Sequence, residues 1–168
     1  MGLLDVYPSL QMDISRALTS ITGLELEPDA DLWRRMLESP GIFIDLKKAF
    51  SDLENARCVI YDSYCSVVVP LERSRRQEVL VYEKIEKLTL YTECGVIAAL
   101  QVKHVEKFNE ELSWAELLVE EANGEMKVTM TAEVSQGDIS ADKLKLHILK
   151  IAELADSLEE QLTGKDKI

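Results

Sequence analysis

Apolar residues change their period along this chain, and the changes divide it into elements. Near the start, Leu10, Ile14, Ala17, Leu18 and Ile21 recur at three- and four-residue spacing, which makes one stripe of a helix. Pro8 suits the first turn of that helix and Gly23 its end. After Pro28, Asp29 or Asp31 can cap a short helix carrying Leu32, Trp33, Met36 and Leu37, which Pro40-Gly41 stops. Asp45 is the expected cap of a third helix, with Leu46, Ala49, Phe50 and Leu53 on one side. None exceeds about four turns, so each needs tertiary packing to persist.

The period then shortens. Residues 56–61 (Ala-Arg-Cys-Val-Ile-Tyr) and 64–69 (Tyr-Cys-Ser-Val-Val-Val) are rich in β-branched and aromatic side chains, and Asp62-Ser63 separates them. This reads as a hairpin, with Pro70 at its end or edge. The stretch Val79 to Thr92 is ambiguous: Val81, Ile85 and Leu88 fit a helical stripe, while residues 79–82 and 88–92 have strand chemistry. At least one strand is expected there. From Val96, residues Ile97, Ala98, Val105, Phe108 and Leu112 share a broad helical face, predicting a helix over 96–112.

Two patterns are sharper. Asn123-Gly124 signals a type I′ turn, whose two central residues both need positive φ. A two-residue turn there pairs Val119 with Val128, Leu117 with Met130 and Ala115 with Ala132 on one face, and Glu120 with Lys127 on the other. A hairpin over 114–134 satisfies both the turn and the faces. Ser140 then caps a long helix to about Leu162, with Gly164 as its stop. Leu144, Ile148, Ile151, Ala155, Leu158 and Leu162 stay within roughly 40° of one line on that helix. Leu146 and Leu149 fall about 140–200° away from Leu144. With a sheet under the stripe, these two leucines are left for another element or a partner.

Charge narrows the function. Among 168 residues there are 31 Asp and Glu against 19 Lys and Arg, a formal charge of −12. Such a surface repels nucleic-acid phosphates and anionic membrane faces alike. The apolar runs are far shorter than a membrane span, and the opening residues Met1 to Asp5 lack the basic region of a signal peptide. Position 6 is Val, where a myristoylation signal has Ser or Thr. Three cysteines, Cys58, Cys65 and Cys94, form an odd set without C-x-x-C spacing. Buried thiols in a reducing cytoplasm, not a disulfide framework, are therefore expected.

Little in the sequence points to catalysis. The two histidines, His104 and His147, fall on different helices and neither has a partner at metal-ligand spacing. Cys58 and Cys65 sit in strand-like runs, where a small buried hydrophobe is the default. Phosphate-cradling and esterase motifs are absent, and paired carboxylates such as Glu159-Glu160 are what 31 acids produce by chance. No catalytic residue, cofactor or metal ligand is assigned. The remaining reading from another class is a small enzyme whose cysteine and carboxylates meet only in three dimensions. Arg73, Arg75 and Arg76 locally reverse the acidic field; a solvated connection is the default for them, a grip on phosphate or an acidic partner the alternative. Trp114 opens the hairpin on its polar face, with Leu118 on the same side. Together with Leu146 and Leu149 they form the candidate partner or dimer contact.

The expected order is αβββαββα: an α+β domain with an antiparallel sheet, helices packed on one face and a long C-terminal amphipathic helix. Residues 1–55 form an N-terminal helical segment packed on the same domain, 56–163 its core, and 164–168 a frayed tail. Phe108-Asn109 through Trp114, Asn123-Gly124-Glu125 and residues 139–144 (Ile-Ser-Ala-Asp-Lys-Leu) follow an order that resembles class I type III secretion chaperones and the YbjN family of similar fold. The several helices before residue 56 depart from that pattern. The resemblance implies a cytoplasmic homodimer that binds extended or hydrophobic segments of a client or regulatory protein without catalysis. On its YbjN side it implies a regulatory module, with sensing of a small ligand as the variant.

Overall fold

The structure is a computed structural model that describes residues 8–22, 41–61, 63–122, 124–137 and 139–163. The expected helix with Trp33, the Asn123 half of the turn and the Gly164 stop lie outside these residues. Helix α1 spans Pro8–Thr22 and α2 spans Ile42–Phe50. Strands β1 (Arg57–Ile60), β2 (Tyr64–Pro70), β3 (Arg76–Lys84) and β4 (Lys87–Ile97) follow. Then come α3 (Val102–Glu111), β5 (Glu116–Ala122), β6 (Glu125–Ser135) and α4 (Ala141–Thr163).

One six-stranded sheet runs in the order β1-β2-β3-β4-β6-β5, every pair antiparallel. The α+β class, the antiparallel sheet and the long closing helix are those the sequence predicts, with one strand more before α3. The ambiguous stretch holds two strands, β3 and β4, joined by Ile85 and Glu86 between the paired Lys84 and Lys87. Glu86 adopts φ 63°, so the turn is made by a residue that gives no turn signal. The expected helix over 96–112 begins instead at Val102, because Val96 and Ile97 still pair with Lys127 and Met126 at the end of β4. Likewise α2 starts three residues before Asp45, after Gly41, which leaves Asp45 in the first turn, where its charge complements the helix dipole.

The 114–134 hairpin has the predicted register: Leu117 faces Met130, Val119 faces Val128, and Glu120 faces Lys127. The expected Ala115–Ala132 pair lies just outside the ladder, since β5 begins at Glu116. Gly124 takes φ +79°. In β4 the register shifts between Glu93 and Gly95. Gly95 there has φ +106°, and a Cβ on it would meet Glu159 Oε1 at 3.4 Å. The bulge therefore needs glycine for its backbone and, in addition, brings the sheet close to α4.

Alternation gives the sheet a core face: Cys58 and Ile60, Cys65, Val67 and Val69, Val79 and Val81, Leu88 and Leu90, Val128 and Met130 are all buried. The predicted stripe of α4 lies against it. Leu144, Ile148, Ile151, Ala155, Leu158 and Leu162 are buried with them, each leucine or isoleucine contributing about 1.5–3 kcal/mol. Ser140 begins α4, its Oγ accepting the Lys143 N–H at 3.3 Å. Phe43, Ile44, Leu46 and Phe50 of α2 and Leu18 of α1 pack on the same core. The described helices thus lie on one face.

Candidate functional site

Two arginines of the basic triplet, Arg73 and Arg75, are bound within the chain. Arg75 lies 2.9 Å from Asp156 and 3.6 Å from Glu160, both on α4, and Arg73 lies 3.6 Å from Glu160. The Arg75 and Asp156 side chains are only 11% and 15% exposed. The grip on an acidic partner that Arg73 and Arg75 offered is thus made inside the molecule, where it fastens the β2–β3 connection to α4. Arg73 and Ser74 in that connection both take positive φ, 56° and 63°, a left-handed turn without glycine that aims the two arginines at the helix. A cleft of about 490 Å³ opens beside the ion pair between Pro70, Leu71, Glu72 and Glu153.

The thiols and imidazoles are not brought together. His104 is exposed on α3, and the His147 ring lies 6.2 Å from that of Trp114. Cys94 is buried under α4, and burial, with the charges of Glu159 and Glu93, pushes its thiol up to about 12. At neutral pH such a thiol stays protonated and is a poor nucleophile. Cys58 and Cys65 lie in the core with their Sγ atoms 3.2 Å apart. The described residues include no group of three or more His, Cys, Asp or Glu side chains arranged to hold a metal ion.

The four predicted contact residues occupy different surroundings. Leu146 is 66% exposed on the outward side of α4, and Leu118 is 39% exposed on the opposite side of the sheet. Leu149 is half-buried and packs against the core, as does Trp114. The Trp114 ring lies beneath Lys150 Nζ, 4.3 Å from its centroid. Alternation placed Trp114 beside Leu118, but it precedes β5 and its side chain turns toward α4. Leu118 and Leu146 therefore belong to two surfaces.

One of those surfaces escaped the sequence reading. On the sheet face away from the helices, Tyr64 pairs with Tyr82, which pairs with Thr89, and Leu80 pairs with Tyr91. The Tyr61 and Tyr64 rings stack at 4.5 Å with 10° between planes, and Tyr82 follows at 5.4 Å. The Tyr91 hydroxyl is pushed up by burial and by the charges of Glu93 and Glu120. A shallow depression of about 200 Å³ lies between Glu78, Leu80, Tyr91 and Glu93. Toward the β5 edge the face becomes acidic, with Glu116 and Glu120 in β5 and Glu133 in β6; Lys87 pairs with Glu133 at 2.6 Å and Lys127 with Glu93 at 3.5 Å. A period-two reading of 76–97 as two strands is the signal that finds these tyrosines. The β5 edge is partly closed by α3, because Asn109 Oδ1 accepts the outward N–H of Leu117 at 2.8 Å.

The six-stranded antiparallel sheet with its long closing helix is a fold shared with solved structures of YbjN and of a type III secretion chaperone. The chain is similar to YbjN from E. coli, with TM-score 0.53 and 9% identity over 73% of this chain and 90% of that one. It is also similar to the Yersinia pestis type III secretion chaperone SycH, solved with a stable fragment of YscM2. That match has TM-score 0.51 and 11% identity over 70% of this chain and 99% of that one. A weaker likeness is to the ExoU–SpcU complex of the type III secretion system of Pseudomonas aeruginosa, with TM-score 0.43 and 15% identity over 58% of this chain and 84% of that one. At these identities what is shared is the fold. No protein-family model matches the chain, and no curated protein matches its sequence. No helix among the described residues is long and apolar enough to cross a membrane.

Proposed function

We propose that this protein is a non-enzymatic, chaperone-like module that holds an extended segment of a partner protein and acts as a cytoplasmic homodimer. The observation that carries this reading is the fold shared with SycH over 99% of that chain, combined with the packing of the described helices on one face of the sheet. SycH was solved with a fragment of YscM2. In this chain the face carrying Tyr64, Tyr82, Leu80, Tyr91 and Leu118 supplies apolar area for such a segment. The acidic β5 border favours basic residues within it. Leu146, outward on α4, is the residue for contact between two copies.

Two measurements test the two parts. Light scattering at micromolar concentration should give about 38 kDa, twice the 19.0 kDa chain, falling to the monomer mass in Leu146→Glu; a monomeric wild type overturns the dimer. A fluorescein-labelled peptide alternating apolar and basic residues should bind with Kd of about 1–100 μM by anisotropy. Leu118→Glu should weaken that binding, and no saturation up to about 1 mM overturns the client reading. A second reading has its own support: YbjN, a candidate transcription regulator by its name, matches 73% of this chain. There the 490 Å³ cleft beside Arg75 takes a small ligand, and a thermal-shift screen in which Arg75→Met abolishes the response tests it.

A further inference from the structure

Cys58 and Cys65 stand on neighbouring antiparallel strands and on the same face. Cys58 pairs with Val67, and Cys65 with Ile60, so the two are diagonal neighbours across the β1–β2 ladder. Diagonal side chains are normally too far apart to touch unless they are long or the strands twist. Here the Sγ atoms lie 3.2 Å apart. That is closer than the roughly 3.5–4.0 Å of ordinary carbon contacts, and about 1 Å from a sulfur–sulfur bond. We infer that Cys58 and Cys65 form a reversible disulfide under peroxide, a covalent staple across the β1–β2 edge of the sheet.

The surroundings fit that chemistry. β1 is the outermost strand and only four residues long, the kind of segment that opens locally at less cost than global unfolding. Cys58 is the outer sulfur, 7% exposed, whereas Cys65 is wholly buried. The hydrogen bond with Cys58, then burial, push the Cys65 thiol up, against a downward pull from the Lys47 charge. Cys65 therefore keeps its proton, and Cys58, the outer sulfur, is the one a peroxide reaches first.

The Cys58 sulfur attacks a peroxide oxygen, the O–O bond breaks, and the departing hydroxide leaves as water with the Cys58 thiol proton, so that Cys58 becomes a sulfenic acid. The Cys65 sulfur then attacks the Cys58 sulfur. The S–O bond breaks, and the oxygen leaves as water with the Cys65 proton. Two thiols give up two electrons, and hydrogen peroxide becomes two waters. Cys94 has no sulfur neighbour among the described cysteines and stays a thiol.

The test is hydrogen peroxide treatment of the full chain, followed by unfolding in guanidinium with N-ethylmaleimide and intact-mass measurement. Untreated protein should take three maleimides, one for each cysteine. Oxidised protein should take one, dithiothreitol should restore three, and oxidised Cys94→Ala should take none. Digestion of the oxidised wild type should yield one linked peptide pair, joining Cys58 to Cys65. This readout needs no variant, so a misfolded Cys58→Ser cannot obscure it. Three maleimides after oxidation, a linkage that includes Cys94, or disulfides found only between chains would overturn the inference.

Discussion

Outside the apolar core, Arg75 is the residue whose loss should cost most. Its guanidinium sits 2.9 Å from Asp156, with both side chains at least 85% buried, and 3.6 Å from Glu160, which is 50% exposed. Arg75→Met keeps the apolar stem and removes the charge. Removing one partner of a fully buried pair costs about 3–5 kcal/mol, and of an exposed pair about 0–1 kcal/mol. Asp156 belongs near the first limit, while Glu160 can turn into water. The expected loss is therefore about 2–3 kcal/mol. With a urea slope of about 2 kcal/mol per molar, the unfolding midpoint should fall by about 1 M. Because the pair is partly buried, added salt should recover little of this. In a double-mutant cycle with Asp156→Leu, the coupling should reach about 1–2 kcal/mol, since the second change removes the carboxylate left behind. An Arg75→Met midpoint within about 0.2 M of wild type, or a coupling near zero, would refute the claim that this contact fastens the β2–β3 connection to α4.

Three further predictions follow from the packing and the charges. Ile151→Ala, in the buried stripe of α4, should lose about 2–5 kcal/mol in urea unfolding, whereas Leu146→Glu, measured dilute enough to keep both proteins monomeric, should stay within about 0.5 kcal/mol; equal losses would mean that α4 is covered on both sides within one chain. Gly95→Ala places a β-carbon at φ +106° and should cost about 1–3 kcal/mol, against about 1 kcal/mol for Gly124→Ala at the hairpin turn; a neutral Gly95→Ala would refute the bulge geometry. Asp52 is held below its usual range by a hydrogen bond and the charge from Lys145, and Glu133 by its hydrogen bond from Lys87. The unfolded chain therefore takes up these protons first, so this stability is present above about pH 4–5 and fades as pH falls further. Urea midpoints from pH 6 to 3 should decline less steeply in Lys87→Met/Lys145→Met than in wild type.

What could be read in advance depended on whether local and long-range signals agreed. The β5–β6 hairpin was legible because the Asn-Gly turn and the pairing of Leu117 with Met130 specify the same register. The α4 stripe was legible because six apolar residues stay on one line through a helix of 23 residues. The β3–β4 hairpin was not, since Ile85-Glu86 carries no glycine or asparagine, and Val81, Ile85 and Leu88 mimic a helical stripe. The end of β4 was misplaced for a related reason: Val96 and Ile97 suit a helix, and only their pairing with β6 holds them extended. For the site, the outward position of Leu146 followed from helix geometry alone. Trp114 did not follow, because alternation stops counting where a strand has not yet begun. The ion pair of Arg75 with Asp156 joins residues 81 positions apart in sequence, and no local pattern announces such a contact.

The position of α4 in the chain has a consequence for synthesis. β1 to β4 form a meander of local pairings, but β6 must return to β4 past α3 and β5, and α4 follows the whole sheet. Local hairpins form in about 1–10 μs. At about 5–20 residues per second, the ribosome takes roughly one to five seconds to add α4. Throughout that interval the core face of a formed sheet is without its principal cover. A nascent chain of this protein is thus an extended, sticky segment of the kind that chaperones hold, and its vulnerability to aggregation is greatest just before the last helix is made.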